Sequence, residues 1–284
     1  MTQALAASYQ YCANVTREQA RNFYYSFLVL PAEKRRAFYA VYAFMRHSDD
    51  ISDDSSHEGK RQGMLATWRA RLERALQGQY DGSELLPAFH DAMRRFSIPA
   101  DYFYELLRGA EMDVEGAEYR SFADLYRYCY RVAGVVGLTC IRIFGFPREE
   151  DARACQLAES CGVAFQLTNI LRDLKEDAAA GRVYLPAEDL TRFGVRSLQP
   201  SAEVEALMRF EIARAWEFYG TARPLLDIVS ADSRPALWAM IQLYSGILKK
   251  IEADPLAVFR RRVELSDMEK FVILVRAMRM RLFA

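Results

Sequence analysis

The chain has 284 residues, of which 51% are hydrophobic and 13% aromatic, so it contains ample material for a large core. Its 38 basic and 38 acidic residues give a formal net charge of zero. Because binding to a phosphate backbone requires a basic excess, this balance argues against nucleic acid as a main partner. The five scattered cysteines include no CxxC pair, which argues against a disulfide framework or a zinc site and favours a reducing cytoplasm.

The chain also carries little sign of secretion or membrane insertion. The first ten residues lack the basic-then-apolar order of a signal peptide. No apolar run reaches the ~18 residues that a membrane-spanning helix requires. Residues 271–284 mix apolar and basic side chains, which fits either contact with a membrane surface or a final core helix with basic edges. We therefore expect a cytoplasmic protein with, at most, peripheral membrane contact.

Helical periodicity predominates along the chain, and its nine prolines fall at helix starts or in loops. The segments between the prolines are rich in Ala, Leu, Arg and Glu, which are good helix formers. Only Arg182–Leu185 briefly resembles a strand. The pattern predicts a single all-α domain over residues 1–284, built from about eight to ten packed helices. Loops are predicted at residues 55–60, 78–87, 145–151, 178–186 and 194–201.

The first of two long, largely apolar helices is predicted over residues 32–54. Near its end lie Tyr42, Arg46, Asp49 and Asp53, at spacings of four, three and four residues. Residues three and four apart share one face of a helix, so these side chains form a single stripe. An acid at a helix C-terminus opposes the helix dipole, so these acids do not stabilise the helix that carries them.

The second long helix is predicted over residues 148–180, and its stripe consists of Gln166, Asn169, Asp173 and Asp177. Like charges one turn apart repel by roughly 0.2–0.5 kcal/mol, and burial raises that cost. A single acidic patch at a helix end is more often a solvated face. The same arrangement on two otherwise apolar helices favours a functional role for both.

Two facing stripes of carboxylates suit a hard divalent cation. Mg²⁺ prefers oxygen ligands and usually takes only one or two carboxylates together with substrate phosphates. Arg46, Arg172 and Arg182 add guanidinium groups that match phosphate oxygens, although ordinary ion pairing with a neighbouring Asp explains Arg172 equally well. No dinucleotide fingerprint or P-loop is present, and no histidine has the Glu-x-x-His spacing of di-iron bundles. The residues therefore predict magnesium ions that hold a diphosphate.

Aromatic residues supply a further indication, at residues 23–27, at residues 126–130, and at Tyr184 and Tyr244. Most aromatic side chains in helices belong to the core. Their faces also attract carbocations, which must be kept from water, so a diphosphate site beside an apolar cavity suits an isoprenoid substrate. Two glycines in the helix predicted after residue 130 cost about 1 kcal/mol each relative to Ala. Close helix packing explains them, as does space for a hydrocarbon tail.

With these motifs the chain resembles the squalene/phytoene synthase family over nearly its whole length. The strongest matches are R-x-x-D-D-x-x-D at Arg46–Asp53 and Q-x-x-N-I-L-R-D-x-x-x-D at Gln166–Asp177. The resemblance implies an all-α isoprenoid synthase fold around a central cavity and the head-to-head joining of two allylic prenyl diphosphates. The other matching segments are FYYSFLVLP, YRYCYRVAGVVG, GRVYLP and VFRRRVELS, at residues 23–31, 126–137, 181–186 and 258–266.

The resemblance assigns roles position by position. Ligands for two or three Mg²⁺ ions are Asp49, Asp53, Asn169, Asp173 and Asp177. Diphosphate contacts are Asn22 (often a serine in the family), Arg46, Gln166, Arg172, Arg182 and Arg262, whose alignment relative to Arg260 and Arg261 stays open. Residues that order the site or flank the reacting carbons are Tyr42, Arg46, Tyr128, Tyr184 and Tyr244. The substrate pocket comprises Phe23, Phe27, Ala133, Gly134, Gly137 and Phe165.

The resemblance implies a Mg²⁺-dependent prenyltransferase that joins two C15 farnesyl diphosphates into presqualene diphosphate, with NADPH as a cofactor if squalene is the final product. Phe23, Phe27 and Leu30 at the deep end of the cavity favour this reaction over a phytoene synthase acting on two C20 geranylgeranyl diphosphates, which stays open. The catalytic base is a tyrosine-bound water or the released diphosphate. A terpene cyclase would carry a different second motif, and a prenyl-lipid carrier would release no pyrophosphate. Downstream isoprenoid enzymes are further expected partners.

Overall fold

The computed structural model describes residues 2–53 and 59–282, apart from the side chains of residues 21–23 and 53. The predicted site residues Asn22, Phe23 and Asp53 therefore have side chains outside the described part of the structure. All regular secondary structure in the described ranges is helical, which confirms the all-α prediction. Arg182–Leu185 is irregular, because the described chain offers no second strand with which it could form ladder hydrogen bonds.

Fourteen α-helices make up the described chain, more than the sequence predicted, because short helices and interruptions divide the predicted long segments. A π-helical segment, Tyr130–Gly134, joins the helix that ends at Cys129 to the helix that begins at Val135. The helices are α1 Gln3–Gln19, α2 Arg21–Leu28, α3 Ala32–Asp53, α4 Arg61–Leu76, α5 Leu86–Arg95, α6 Ala100–Glu115, α7 Phe122–Cys129, α8 Val135–Phe144, α9 Asp151–Ala179, α10 Ala187–Arg192, α11 Ala202–Ala222, α12 Leu225–Ile228, α13 Arg234–Ala253 and α14 Asp267–Leu282.

The two predicted central helices correspond to α3 and α9. Helix α3 packs against α1, α4, α5, α6 and α8 in one hydrophobic cluster. Helix α9 packs against α8, α11, α13 and the π-helical segment. Its first half, around Ala154–Cys161, belongs to the cluster of α3, and its second half, around Val163–Leu174, belongs to a second cluster with α11 and α13. Helix α9 therefore connects the two cores.

A buried ion cluster lies between α10 and α11. Asp189 and Glu211 are only 4% and 2% exposed, and Arg214 donates to them at 2.9 and 2.7 Å. Burial raises the pKa of Glu211 to about 7, although the Arg214 charge opposes this rise. Buried charges need such internal partners. The cluster therefore ties α10 to α11.

Helix α14 packs on α13 and α2 by one face and leaves the other exposed. Phe271, Met278 and Leu282, on the outer face, are 59%, 44% and 79% exposed. Arg276 and Arg279 are exposed beside them. No helix within the described ranges combines the length and the apolar character that crossing a membrane requires.

Two glycines allow the backbones of α8, α9 and the π-helical segment to touch. A Cβ atom at Gly162 would overlap the carbonyl oxygen of Ala133, and one at Gly137 would overlap that of Ala158. Close packing is thus sufficient to explain Gly137. A Cβ atom at Gly134 would instead lie 3.1 Å from the ring of Tyr130.

We expect Gly162→Ala to destabilise the protein by about 1–3 kcal/mol, because the backbone of Ala133 must move to admit the methyl group. Gly220→Ala on α11 is the matched control, since a Cβ atom there meets nothing within 4 Å. Replacing this helical glycine should stabilise by up to about 1 kcal/mol. Urea unfolding of the two variants measures both effects. Equal stability of the variants would contradict the close-packing explanation.

Candidate active site

A cavity of about 250 Å³ lies between α3, α6, α8, α9 and α13. Most of its wall is apolar and includes Val136, Phe144, Leu237 and Met240. One end is polar, and there the first residues of both predicted stripes meet across the cavity, together with one tyrosine of α13. These polar residues are Tyr42, Arg46, Asp49, Gln166, Asn169 and Tyr244.

Two buried polar atoms at this end have no hydrogen-bond partner among the described residues, namely Oδ1 of Asn169 and Nε of Arg46. The Asn169 amide nitrogen donates to Gln166 Oε1 at 3.4 Å. The amide oxygen of Asn169 takes no part in this hydrogen bond. A buried polar group without a partner costs about 1–3 kcal/mol. The amide oxygen suits a cation and the guanidinium N–H suits an anion, so the pair fits a metal–diphosphate ligand.

The first stripe is held by α3. Arg46 donates to Asp50, which lies one turn further along the helix. This contact leaves Asp49 on the cavity side, where it lines the polar end. Burial raises the pKa of Tyr42 to about 12, so its hydroxyl stays protonated. Asp50, which follows Asp49 in the chain, thereby orients Arg46.

The second stripe continues from the cavity along α9, and its next acid is held by two arginines. Nε of Arg172 donates to Asp173 at 2.8 Å, and Arg262 lies 3.1 Å from the same carboxylate. Arg262 also pairs with Glu176, whereas Arg260 pairs with Asp254. Of the consecutive arginines near the C-terminus, Arg262 is therefore one that faces the stripe. Arg172 forms the ion pair with a neighbouring Asp that was one of its two explanations, and its contact with a diphosphate stays a prediction.

The last acid of the stripe, Asp177, is half-buried. Burial and the charge of Asp173 raise its pKa to about 6, while Arg182 opposes the rise and Asp113 adds to it. Asp113, from α6, was not predicted. It accepts hydrogen bonds from Tyr128 at 3.0 Å and from Tyr184 at 2.9 Å. One signal was available in the sequence, since Asp113 lies in the last turn of its helix, where an acid opposes the dipole.

The aromatic residues divide into two groups. Tyr244 lines the cavity and its ring stacks on Phe165 at 4.3 Å. Tyr128 and Tyr184 are not among the cavity-lining residues, and their rings stack on each other at 5.0 Å beside Asp113. Of the predicted tyrosines, Tyr42 and Tyr244 therefore line the cavity. Tyr128 and Tyr184 instead lie beside Asp113.

Only some of the predicted pocket residues line the cavity. Ala133, Gly137 and Phe165 line the cavity, whereas Phe27 and Gly134 do not. Phe27 stacks on Phe38 at 4.9 Å, and Phe38 lies 4.9 Å from Phe144, which does line the cavity. The inner wall is formed by Phe144 with Leu225 and Leu237, because the ring of Phe38 separates Phe27 from it. Leu30 is fully buried in the same hydrophobic cluster and is likewise absent from the lining.

Within the described ranges, no three His, Cys, Asp or Glu side chains form a group that could hold a metal ion by themselves. Mg²⁺ commonly takes only one or two carboxylates and completes its shell with phosphate oxygens and water. The two sets of acids, with the amide oxygen of Asn169, therefore fit Mg²⁺ in company with a diphosphate. They do not form an all-protein cage among the described side chains.

The chain is similar to known proteins over most of its length. The family model for squalene/phytoene synthase matches residues 16–269. A phytoene synthase from Mycobacterium tuberculosis is 38% identical over 273 residues, covering 93% of this chain and 88% of the relative. The 15-cis-phytoene synthase of Synechocystis sp. is 36% identical over 282 residues, covering 94% and 83%.

Solved structures of similar proteins superpose on this chain over most of its length. A dehydrosqualene synthase superposes with a TM-score of 0.88 at 28% identity, covering 99% of both chains. A squalene synthase from Alicyclobacillus acidocaldarius superposes with a TM-score of 0.81 at 27% identity, covering 89% of this chain and 96% of the other. The fold is therefore the all-α isoprenoid synthase fold, and this chain belongs to the squalene/phytoene synthase family.

Proposed function

We propose that residues 1–284 form one catalytic domain that condenses two prenyl diphosphates head to head in a Mg²⁺-dependent reaction. The observation that carries the proposal is the meeting of the two polar stripes at one end of an apolar cavity. The stripes supply groups for the diphosphates, and the cavity accommodates a hydrocarbon tail. A carrier protein needs the cavity but has no use for facing stripes of acids and arginines, and the second motif is not that of a terpene cyclase.

The magnesium ions would be held by Asp49, Asp53, Asn169, Asp173 and Asp177. When bound, they neutralise the diphosphate and make it a better leaving group. The arginines that pair with acids in the described structure would then turn to phosphate oxygens, for which their planar forks are suited. These arginines are Arg46, Arg172 and Arg262. Arg182 would add a further guanidinium contact, and Gln166 and Asn22 would add amide contacts.

The chemistry proceeds at the polar end of the cavity. The C1–O bond of the donor breaks, and its electron pair leaves with the diphosphate. The 2,3 double bond of the second molecule attacks the C1 cation, and loss of a proton closes a cyclopropane ring. The stacked rings of Tyr244 and Phe165 present aromatic faces to the cation, and the apolar wall excludes water. The proton passes to the released diphosphate or to a tyrosine-bound water.

We expect Asp49→Asn and Asp173→Asn each to lower kcat at least about a hundredfold, because each removes an acid from one stripe while preserving its size. The measurement is release of pyrophosphate from a prenyl diphosphate with Mg²⁺. Asp227→Asn, at an exposed position on α12, is the matched control and should keep wild-type turnover. Circular dichroism verifies that all three variants are folded. Wild-type turnover in folded Asp49→Asn or Asp173→Asn enzyme would refute the metal assignment.

The length of the substrate has two candidates, each with its own support. The ring of Phe144 closes the inner wall, with Phe38 and Phe27 behind it, which favours a C15 farnesyl chain. Relatives that are 36–38% identical are phytoene synthases, which favours a C20 geranylgeranyl chain. We retain farnesyl diphosphate as the first candidate. NADPH enters only if the cyclopropyl product is reduced further to squalene.

We expect Phe144→Ala to raise the ratio of kcat/KM for geranylgeranyl over farnesyl diphosphate by at least about tenfold, because it opens the wall that an extra isoprene unit would meet. Wild-type enzyme assayed with both substrates identifies the preferred chain length. Mass spectrometry of the products, with and without NADPH, shows whether a second half-reaction occurs. Phe89→Ala removes a buried ring away from the cavity and should leave the ratio unchanged.

The outer face of α14 supports contact with an anionic membrane surface, which would receive an oily product. Its exposed apolar residues follow helical spacing and are flanked by Arg276 and Arg279. Such a helix lies in the interface, with its apolar face in the acyl region and its cations at the headgroups. Transfer of product to downstream isoprenoid enzymes stays a prediction.

We expect the double variant Phe271→Ser/Leu282→Ser to bind vesicles containing phosphatidylglycerol about tenfold more weakly than the wild-type protein. Co-sedimentation measures binding, with phosphatidylcholine vesicles as the test of charge dependence. Tyr11→Ser removes an apolar side chain of 37% exposure on α1 and serves as the control. Unchanged binding of the double variant would exclude this face.

A further inference from the structure

We propose that Asp113 is a positioning residue of the condensation, which holds the hydroxyl groups of Tyr128 and Tyr184 in place beside the acidic end of α9. The inference rests on the proposed function and adds to it a residue that neither predicted stripe contains. Asp113 acts through the two tyrosines, so it need not touch the substrate. Its role follows from geometry, burial and the number of acceptor atoms on its side chain.

The hydrogen bonds of Asp113 use its two oxygens separately. Oδ2 accepts from the Tyr128 hydroxyl at 3.0 Å, and Oδ1 accepts from the Tyr184 hydroxyl at 2.9 Å. Tyr128 belongs to α7, and Tyr184 belongs to the loop between α9 and α10. A single carboxylate at the end of α6 therefore ties three separate parts of the chain together. Hydrogen bonds to an ionised acceptor are also the stronger kind.

The rings held by Asp113 are packed as a group. Tyr128 lies 5.4 Å from Tyr119 and 5.0 Å from Tyr184 between ring centroids, and the third pair lies at 5.8 Å. These side chains are 5%, 3% and 8% exposed for Tyr119, Tyr128 and Tyr184. A buried tyrosine hydroxyl needs a partner, and for Tyr128 and Tyr184 the carboxylate supplies it. The orientation of these two rings thus depends on Asp113.

This aromatic group is linked both to a segment that lines the cavity and to the last acid of the second stripe. Tyr128 lies two residues before the π-helical segment, whose Val132 and Ala133 line the cavity. On the other side, the charge of Asp113 acts on Asp177. Any movement of Tyr128 or Tyr184 would reach both the cavity wall and the predicted metal ligands. π-Helical segments are frequent at functional sites.

The chemistry explains why a carboxylate is needed at this position. The two tyrosine hydroxyls lie within hydrogen-bond distance of different oxygens of Asp113, so each of its oxygens serves one ring. An asparagine in the same position would place its amide nitrogen, which donates and cannot accept, opposite one of the two tyrosine hydroxyls. The displaced tyrosine would then compete for another acid nearby. Misplacement of a group by about 1 Å can cost a hundredfold in rate.

The test is a double-mutant cycle on turnover. It compares the wild-type enzyme, Asp113→Asn, Tyr128→Phe/Tyr184→Phe and the triple variant, each assayed with Mg²⁺ and the preferred prenyl diphosphate. We expect Asp113→Asn to lower kcat about 10- to 100-fold and to change KM less than about threefold. In the Tyr→Phe background the same substitution should change kcat less than about threefold, because the hydroxyls through which Asp113 acts are already absent.

A merely structural role is separated by a matched control. Asp91 accepts a hydrogen bond from the partly buried Tyr9 at 2.7 Å, between α5 and α1 and outside the cavity lining. Asp91→Asn should lower the melting temperature without lowering kcat. If kcat falls equally in both variants, or if the losses from Asp113→Asn and the Tyr→Phe changes are additive, the proposal is overturned.

Failure of the proposal is distinguishable from failure of the proposed function. A wild-type protein that converts neither farnesyl nor geranylgeranyl diphosphate removes the function and the inference together. An active wild type with an equally active Asp113→Asn variant removes the inference alone. Should Asp113→Asn not fold, Asp113→Glu carries the test, because it retains the charge but displaces both oxygens by one methylene. A folded Asp113→Glu enzyme with wild-type kcat then overturns the proposal.

Discussion

Repulsion among carboxylates in a partly buried space is the constraint on which the site depends. Acids from α3, α6 and α9 lie near one end of an apolar cavity, where water screens their charges poorly. Arginines offset the repulsion in the described structure: Arg46 pairs with Asp50, and Arg172 and Arg262 pair with Asp173. These guanidinium groups are also suited to phosphate oxygens. Binding of a metal–diphosphate would thus exchange one set of ion pairs for another, without leaving charges unpaired.

The apolar part of the site depends on close backbone packing. Gly137 and Gly162 bring α8 and the π-helical segment against α9, so a helix face that would otherwise be filled by side chains can border a cavity. The inner wall is formed by larger groups, with Phe144 backed by Phe38 and Phe27. The space for a hydrocarbon tail is therefore set by a rigid helix crossing at one side and by stacked rings at the other.

How much of this could be predicted from the sequence depends on how local each feature is. The stripes on α3 and α9 are set by spacing within one helix, so Arg46, Asp49, Asn169 and Asp173 were predictable as residues of common faces. The position of Phe27 behind the cavity wall could not be predicted. Phe38 and Phe144 separate it from the cavity, and these contacts involve three different helices. For the same reason, spacing alone could not distinguish Arg262 from the arginines next to it. The number of helices was underestimated because short helices carry weak periodicity.

Acids near the C-terminal ends of helices are a signal in the sequence that identifies Asp113 as well as the residues of the stripes. Asp49, Asp113 and Asp177 all lie within about two turns of the C-terminal end of their helices, where the partial negative charge of the helix opposes an acid by roughly 0.3–1 kcal/mol. Three helices therefore accept an unfavourable acid at the same end and direct it to the same region. Neither helix propensity nor packing explains that agreement. The magnesium ions of the proposed function would explain it, because a cation reverses the sign of each of these interactions, with the acids and with the helix ends.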